Sequence, residues 1–181
     1  MNRPIEPQKK QELLERCLAA AINLGTLNSS INEIAQRIGT SGRMLIYHFG
    51  SKQELDRQIV SQLESQLRAQ MWLFQDETDS DSKSPTNYLI EMWEHFTSPG
   101  MSGLTNLTME LNQRAIQGDR ETRTFLELET QKWIAALAPQ LGEDLARMLF
   151  HLFQGAILDF KTTGNVDRGR QTIEAFIKNL H

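Results

Sequence analysis

Apolar residues recur every three or four positions along most of this chain and nowhere alternate over a useful length, which predicts helices throughout. The first apolar face is Leu14, Cys17, Leu18, Ala21 and Ile22, and it stops near Gly25, a residue type that terminates helices by adopting left-handed backbone angles. Ser30 and Glu33 have capping-box spacing, in which each side chain accepts from the other's backbone N–H. They open a second helix with Ile31, Ile34, Ala35 and Ile38 on one face. Gly39 permits a tight turn, and a third short helix runs from Ser41 to about His48.

Ser51 and Glu54 repeat the capping box and start a long fourth helix, with Leu55, Ile59, Leu63, Leu67 and Met71 at four-residue spacing, reaching about Phe74. The polar stretch DETDSDSKS reads as a flexible linker. Ser84-Pro85 restarts helix, because proline suits a first helical position. The fifth helix carries Leu89, Met92, Trp93 and Phe96 and ends at Pro99-Gly100; the sixth carries Leu104, Leu107, Thr108, Leu111 and Ala115 and ends at Gly118. Asp119 opens the seventh, expected to stop near Ala138 ahead of Pro139. The eighth has the strongest pattern, Leu145, Met148, Leu149, Leu152, Phe153, Ala156, Ile157 and Phe160, and Gly164 ends it. Asp167 is expected to cap a ninth helix lined by Ile173, Phe176, Ile177 and Leu180. Phe150 lies off the main stripe of the eighth helix, so that apolar face is wider than one neighbour needs, as at a subunit interface. The expectation is an all-α fold of about nine helices.

Composition narrows the class. A chain of 181 residues with 39% hydrophobic and 23% charged residues can build a real core. Cys17 is its single cysteine, which leaves no disulfide framework and no thiolate cluster. No apolar run approaches a membrane span and MNRPIEPQKK lacks the apolar stretch of a leader, so a cytoplasmic protein is expected. Net charge is -4, but it is uneven: residues 1–57 carry eight Lys/Arg against six Asp/Glu, and the rest carries eleven against seventeen. A weakly basic head on an acidic body suits a head that meets phosphate. The four histidines, His48, His95, His151 and His181, have no metal-ligand spacing, and no Gly-rich phosphate loop, nucleophile elbow or HExxH motif is present. No enzyme activity, metal or cofactor is expected.

The stretch Ser29–Leu55 has a different character. Two short helical patterns joined by a tight turn end in Tyr47-His48-Phe49 just before the Ser51 cap. Helices this short bury little by themselves, but the second can be offered to the DNA major groove. Ala20-Ala21, Gly25, Ser29-Ser30, Ile34-Ala35, Gly39, Ser41, Leu45, Tyr47-His48-Phe49, Ser51-Lys52 and Leu55 follow one another without insertion. In this order they resemble the N-terminal pattern of the tetracycline-repressor (TetR) family of transcriptional regulators. The resemblance covers about the first third of the chain; beyond it, only the helix count and the apolar final pair resemble the family. Four positions depart from it: Ala21 and Thr26 stand where aromatics are usual, Arg43 replaces a frequent glycine, and Ile46 replaces the first tyrosine of a pair.

The resemblance implies a three-helix helix-turn-helix domain over 1–55, with the third helix in the major groove. Through a long fourth helix it would join a helical effector-binding and dimerisation domain over 56–181. Candidates for base edges are Thr40, Gly42, Arg43 and Met44; Ser30, Ser41, Tyr47, His48 and Lys52 would hold phosphates. Ser30 and Ser51 would cap helices in any protein, and Phe49 reads as core. An implied effector pocket would draw on Trp72, Trp93, Phe96, Met109, Phe125, Trp133 and Phe153, with His95, Asn106 and Gln113 as polar handles, although most such side chains are simply core. The expected function is a homodimeric repressor, paired through its last two helices. A small molecule would release it from a palindromic operator in double-stranded DNA, with no membrane involved. Control by a protein partner is the alternative, and a non-DNA helical adaptor or enzyme a more distant one.

Overall fold

The structure, a computed structural model, describes residues 7–76 and 85–179. The expected linker, residues 76–84, lies outside the described residues except for Asp76, which ends α4; Leu180 and the side chains of Met71, Trp72 and Phe74 also lie outside them. The chain is all-α. Its helices are α1 (Pro7–Leu24), α2 (Ile31–Arg37), α3 (Gly42–Phe49), α4 (Lys52–Asp76), α5 (Pro85–Thr97), α6 (Ser102–Ile116), α7 (Arg120–Leu141), α8 (Glu143–Thr163) and α9 (Val166–Lys178), with a 3-10 turn at Pro99–Met101. No helix among the described residues is long and apolar enough to cross a membrane.

The local signals act as the sequence implies at most ends. Ser30 N–H donates to the Glu33 carboxylate at 2.7 Å and Glu33 N–H to Ser30 Oγ at 3.2 Å, which completes the capping box of α2. Ser41 Oγ accepts from Met44 N–H at the start of α3, and Gly164, at φ 74°, ends α8. Two ends differ. Helix α7 continues through Pro139 to Leu141, because a proline in a last turn removes only one N–H, and the turn still closes through Gly142 N–H to Ala138 O at 2.8 Å. Helix α9 is capped by Asn165, whose Oδ1 accepts from Arg168 N–H at 2.9 Å, and not by Asp167.

The helices group into two compact units. One holds the chain up to Leu67 together with Gly103–Glu127, the other Arg68–Ser102 together with the chain from Leu128 onward. Helix α6 thus packs with the N-terminal helices in the first unit. The core of the first unit combines Cys17 and Leu18 of α1, Ile34 of α2, Leu45 and Phe49 of α3, Leu55 and Ile59 of α4, and Leu107 and Leu111 of α6. The second is built on Leu89, Met92 and Trp93 of α5, Leu149, Phe153 and Ala156 of α8, and Ile173 and Ile177 of α9. Phe150, read as the surplus apolar residue of α8, is 9% exposed, whereas Met148 (55%) and Leu158 (52%) face outward.

Candidate nucleic-acid interface

Helix α3 has one packed and one open side. Leu45, His48 and Phe49 are buried; Arg43, Ile46 and Tyr47, one turn apart on the other side, are exposed. Among the described residues Arg43 has no hydrogen-bond or ion-pair partner, so its guanidinium is uncommitted. Ser30 and Ser41 are exposed, and each Oγ accepts a cap bond; the Ser41 hydroxyl hydrogen remains able to donate, whereas the Ser30 side chain also supports the Glu33 carboxylate. Thr40 and Met44 are half-buried. At Gly42 a Cβ would sit 2.1 Å from Oδ1 of the exposed Asn32 side chain, which would have to turn aside to admit it.

Two expected phosphate ligands occupy different places. The His48 ring is 4% exposed and stands edge-on to Tyr47, with centroids 5.1 Å apart. Its burial withdraws both ring nitrogens from solvent, and neither finds a hydrogen-bond partner among the described residues. Lys52 is turned inward: Nζ donates to Leu27 O at 2.6 Å and to Asp56 Oδ1 at 2.5 Å.

Lys52 belongs to a polar clamp on the loop between α1 and α2. Glu110 of α6 accepts from Thr26 Oγ1 at 2.5 Å and from Leu27 N–H at 2.6 Å. One turn on, Arg114 Nη1 donates to Asp56 Oδ2 at 2.7 Å, and Asp56 is 1% exposed. Asn106, one turn earlier, donates to Gly25 O at 3.5 Å. Gly103 completes the row, since a Cβ there would meet Ile22 O at 2.6 Å. Gly103, Asn106, Glu110 and Arg114 thus form one face of α6 that grips the end of α1 and the following loop. Beside the clamp lies an open basin of about 480 Å³ bordered by Leu27, Ser30, Lys52, Asp56, Arg114 and Gln117. Arg16 of α1 secures the other end of α2 by donating to Ile38 O.

The residues expected to line an effector pocket are distributed over both units. Trp93 is fully buried, its Nε1 donates to Val166 O at 3.2 Å, and its ring stands edge-on to Phe153 and Phe160. Phe96 packs edge-on to Phe153. These three aromatics, Trp93, Phe96 and Phe153, make core contacts among α5, α8 and α9. Trp133 packs on the same core and its ring lies under the Arg68 guanidinium. In the first unit Phe125 packs against the core, Asn106 is used by the clamp, Met109 is half-buried and Gln113 is exposed. His95 is half-buried.

Sequence reasoning missed Asp56, Glu110 and Arg114. The one available signal is the i, i+4 placement of Glu110 and Arg114 on α6, and it carries no information about which loop they meet.

The family model of bacterial regulatory proteins, tetR family, matches residues 18–59. That span contains α2, α3 and the start of α4. No curated protein matches the chain by sequence. Among solved structures, SCO7518 of Streptomyces coelicolor A3(2) aligns with a TM-score of 0.75 at 20% identity, over 95% of this chain and 98% of that one. The multidrug binding protein EbrR, complexed with imidazole, aligns at 0.70 and 15% identity over 93% and 94%. SCO1917, a TetR-family member from Streptomyces coelicolor A3, aligns at 0.69 and 16% identity over 92% and 96%. Identities this low establish the fold, while the matched model covers the helix-turn-helix itself. Residues 18–59 thus carry the helix-turn-helix module of the tetR family of bacterial regulatory proteins, and the chain shares the fold of these solved structures along nearly its whole length.

Proposed function

We propose that the protein is a homodimeric repressor that binds a palindromic operator and is released by a small-molecule effector. Residues 1–55 form the DNA-binding part, and residues 56–181 the effector-binding and dimerising part. The observation that carries the reading is the exposed Arg43, without a hydrogen-bond or ion-pair partner among the described residues, on the side of α3 opposite its packed face. An arginine held there can bond guanine O6 and N7 in two parallel hydrogen bonds, the commonest specific contact in the major groove. Thr40, Gly42 and Met44 line the entry of the same helix, and Ser30, Ser41 and Tyr47 are placed to hold phosphates. Lys52 and His48 take structural parts.

Dimerisation is supported by α8. Met148, His151, Gly155 and Leu158 are exposed at spacings of three and four residues, with Leu152 half-buried among them, so they form one stripe. An isologous pairing of α8 and α9 would cover it and relate two α3 helices by a two-fold axis, which calls for half-sites about 34 Å apart. A small organic effector is the reading favoured by EbrR, which was captured with imidazole. An effector acts only through different affinity for the DNA-competent and incompetent states.

The test is a binding titration on duplexes enriched from a random pool by the protein itself. Arg43→Ala should relax sequence preference and weaken specific binding about tenfold or more. A reporter placed behind the enriched sequence should be silenced by the protein. Sedimentation at micromolar concentration should give a dimer, and Leu158→Arg a monomer. Binding that ignores Arg43→Ala, or a reporter that is switched on, would overturn the corresponding part.

A further inference from the structure

The departure of α3 at Ile46 has a specific consequence. Ile46 is 42% exposed and its neighbour Tyr47 37%; apart from these two, among the described residues of this compact unit the strongly exposed large apolar side chain is Ile116 at the far end of α6. The packed side of α3 is complete without Ile46, since Leu45 and Phe49 are 0% and 3% exposed in the core. An aliphatic side chain left in water on a helix this short adds nothing to the fold.

Ile46 lies three residues after Arg43, on the same side of α3. Three residues advance a helix by about 4.5 Å, the length of one to one and a half base-pair steps. The base edges of the major groove present donors, acceptors and a single apolar group, the C5-methyl of thymine. Met44 is half-buried and turned about 100° around the helix from Arg43, so it is the poorer placed of the two apolar candidates.

We propose that Ile46 is a specificity-determining residue that packs on a thymine methyl group, one or two base pairs from the guanine bonded by Arg43. This rests on the reading of α3 as the groove helix and adds a named base to it. Ile46 and Arg43 then form one reading unit, apolar and cationic, in place of a phosphate anchor at position 46.

The experiment uses the full-length protein and a palindromic duplex that it enriches from a random-sequence pool. Each half-site should contain a guanine and a thymine one or two steps apart. Replacing that thymine by deoxyuridine deletes only the methyl group and leaves every hydrogen-bonding atom in place. Wild-type affinity should fall roughly fourfold for each half-site so changed, the equivalent of burying one methyl group. Ile46→Ala should weaken binding to the thymine duplex and bind both duplexes alike; Ile46→Val should keep part of the preference. Circular dichroism confirms that the variants fold, as expected for an exposed position.

Equal wild-type affinity for thymine and deoxyuridine at every position would overturn the inference, and so would an Ile46→Ala loss that persists unchanged on deoxyuridine. If Arg43→Ala still weakens binding in those cases, the groove reading of α3 survives. If the pool yields no enriched duplex, or Arg43→Ala has no effect, that reading fails and takes this one with it.

Discussion

The Arg114 guanidinium of α6 donates to the Asp56 carboxylate of α4 at 2.7 Å, and Asp56 is 1% exposed. Lys52 meets the other carboxylate oxygen at 2.5 Å. One buried anion thus holds two cations together, and both cations also reach toward Leu27 O in the loop between α1 and α2.

Removing the anion should be the costliest change in this cluster. Asp56→Ala leaves two partly buried cations facing one another, and breaking a buried pair in this way costs about 3–5 kcal/mol. For a chain of this length each kcal/mol moves the melting temperature by about 2–4 °C, so a fall of roughly 6–20 °C is expected. Asp56→Asn keeps the shape and an acceptor and should cost less. Arg114→Met should also cost less, because Lys52 remains as partner. Thermal unfolding followed by circular dichroism gives the order, and an unchanged Asp56→Ala melting temperature would remove the clamp from the account.

In the second unit, α9 crosses α5 at a glycine. A Cβ on Gly169 would lie 2.3 Å from Trp93 Cζ2, and the indole is fully buried. Alanine in place of glycine within a helix normally gains about 1 kcal/mol. Here the overpacking should reverse the sign and destabilise by about 1–3 kcal/mol. In a Trp93→Phe background the smaller ring leaves room, so Gly169→Ala should cost measurably less there. Urea unfolding of the four proteins in a double-mutant cycle reads this coupling, and additive effects would contradict it.

How far these features could be read from the chain differs by kind. Element order followed from apolar spacing and from Ser30, Ser41, Ser51 and Gly164, because caps and helix ends depend on a few neighbouring residues. Pro139 misled because the turn around it still closes, through Gly142 N–H to Ala138 O, despite the missing proline N–H. The open side of α3 was legible through Arg43 and Ile46. The inward turn of Lys52 was not, since Asp56 and Leu27 O attract it from 4 and 25 residues away. Nor was the clamp on α6: an acid and a base four residues apart read as an ordinary surface pair until the loop at Thr26–Leu27 is folded against them. The aromatic residues expected around a ligand show the same limit, because Trp93 at helical spacing looks alike whether it faces a cavity or Gly169.

Cys17 should be chemically silent in the native protein. It is fully buried in the first unit, and burial pushes its thiol pKa up to about 11. At neutral pH the reactive thiolate is therefore scarce even when reagent reaches it. Iodoacetamide should fail to label the folded protein and should label it fully in guanidinium chloride. Because the thiol sits in the core built by α1, α2, α3, α4 and α6, its labelling rate in mild denaturant should follow opening of that unit. Rapid labelling under native conditions would contradict the packing.

Acid should weaken the start of α2. The Glu33 carboxylate accepts from Ser30 N–H, and this backbone bond, helped by the Ser30 side chain, holds its pKa below the ordinary carboxylate value of 4.5. A carboxylate depressed in the folded state contributes stability at pH values above its unfolded pKa, and loses it as pH falls through the lower folded value. Glu33→Ala should therefore unfold at lower urea concentration than wild type at pH 7, and the gap should close as pH drops below 4.5 toward the folded pKa. The same change bears on DNA, because the capping box fixes the backbone at Ser30, one of the proposed phosphate contacts. At pH 7 Glu33→Ala should weaken binding to all duplexes alike and leave the thymine preference assigned to Ile46 intact. A gap in urea midpoint that stays constant down to acid pH would mean that the carboxylate charge plays no part in the cap.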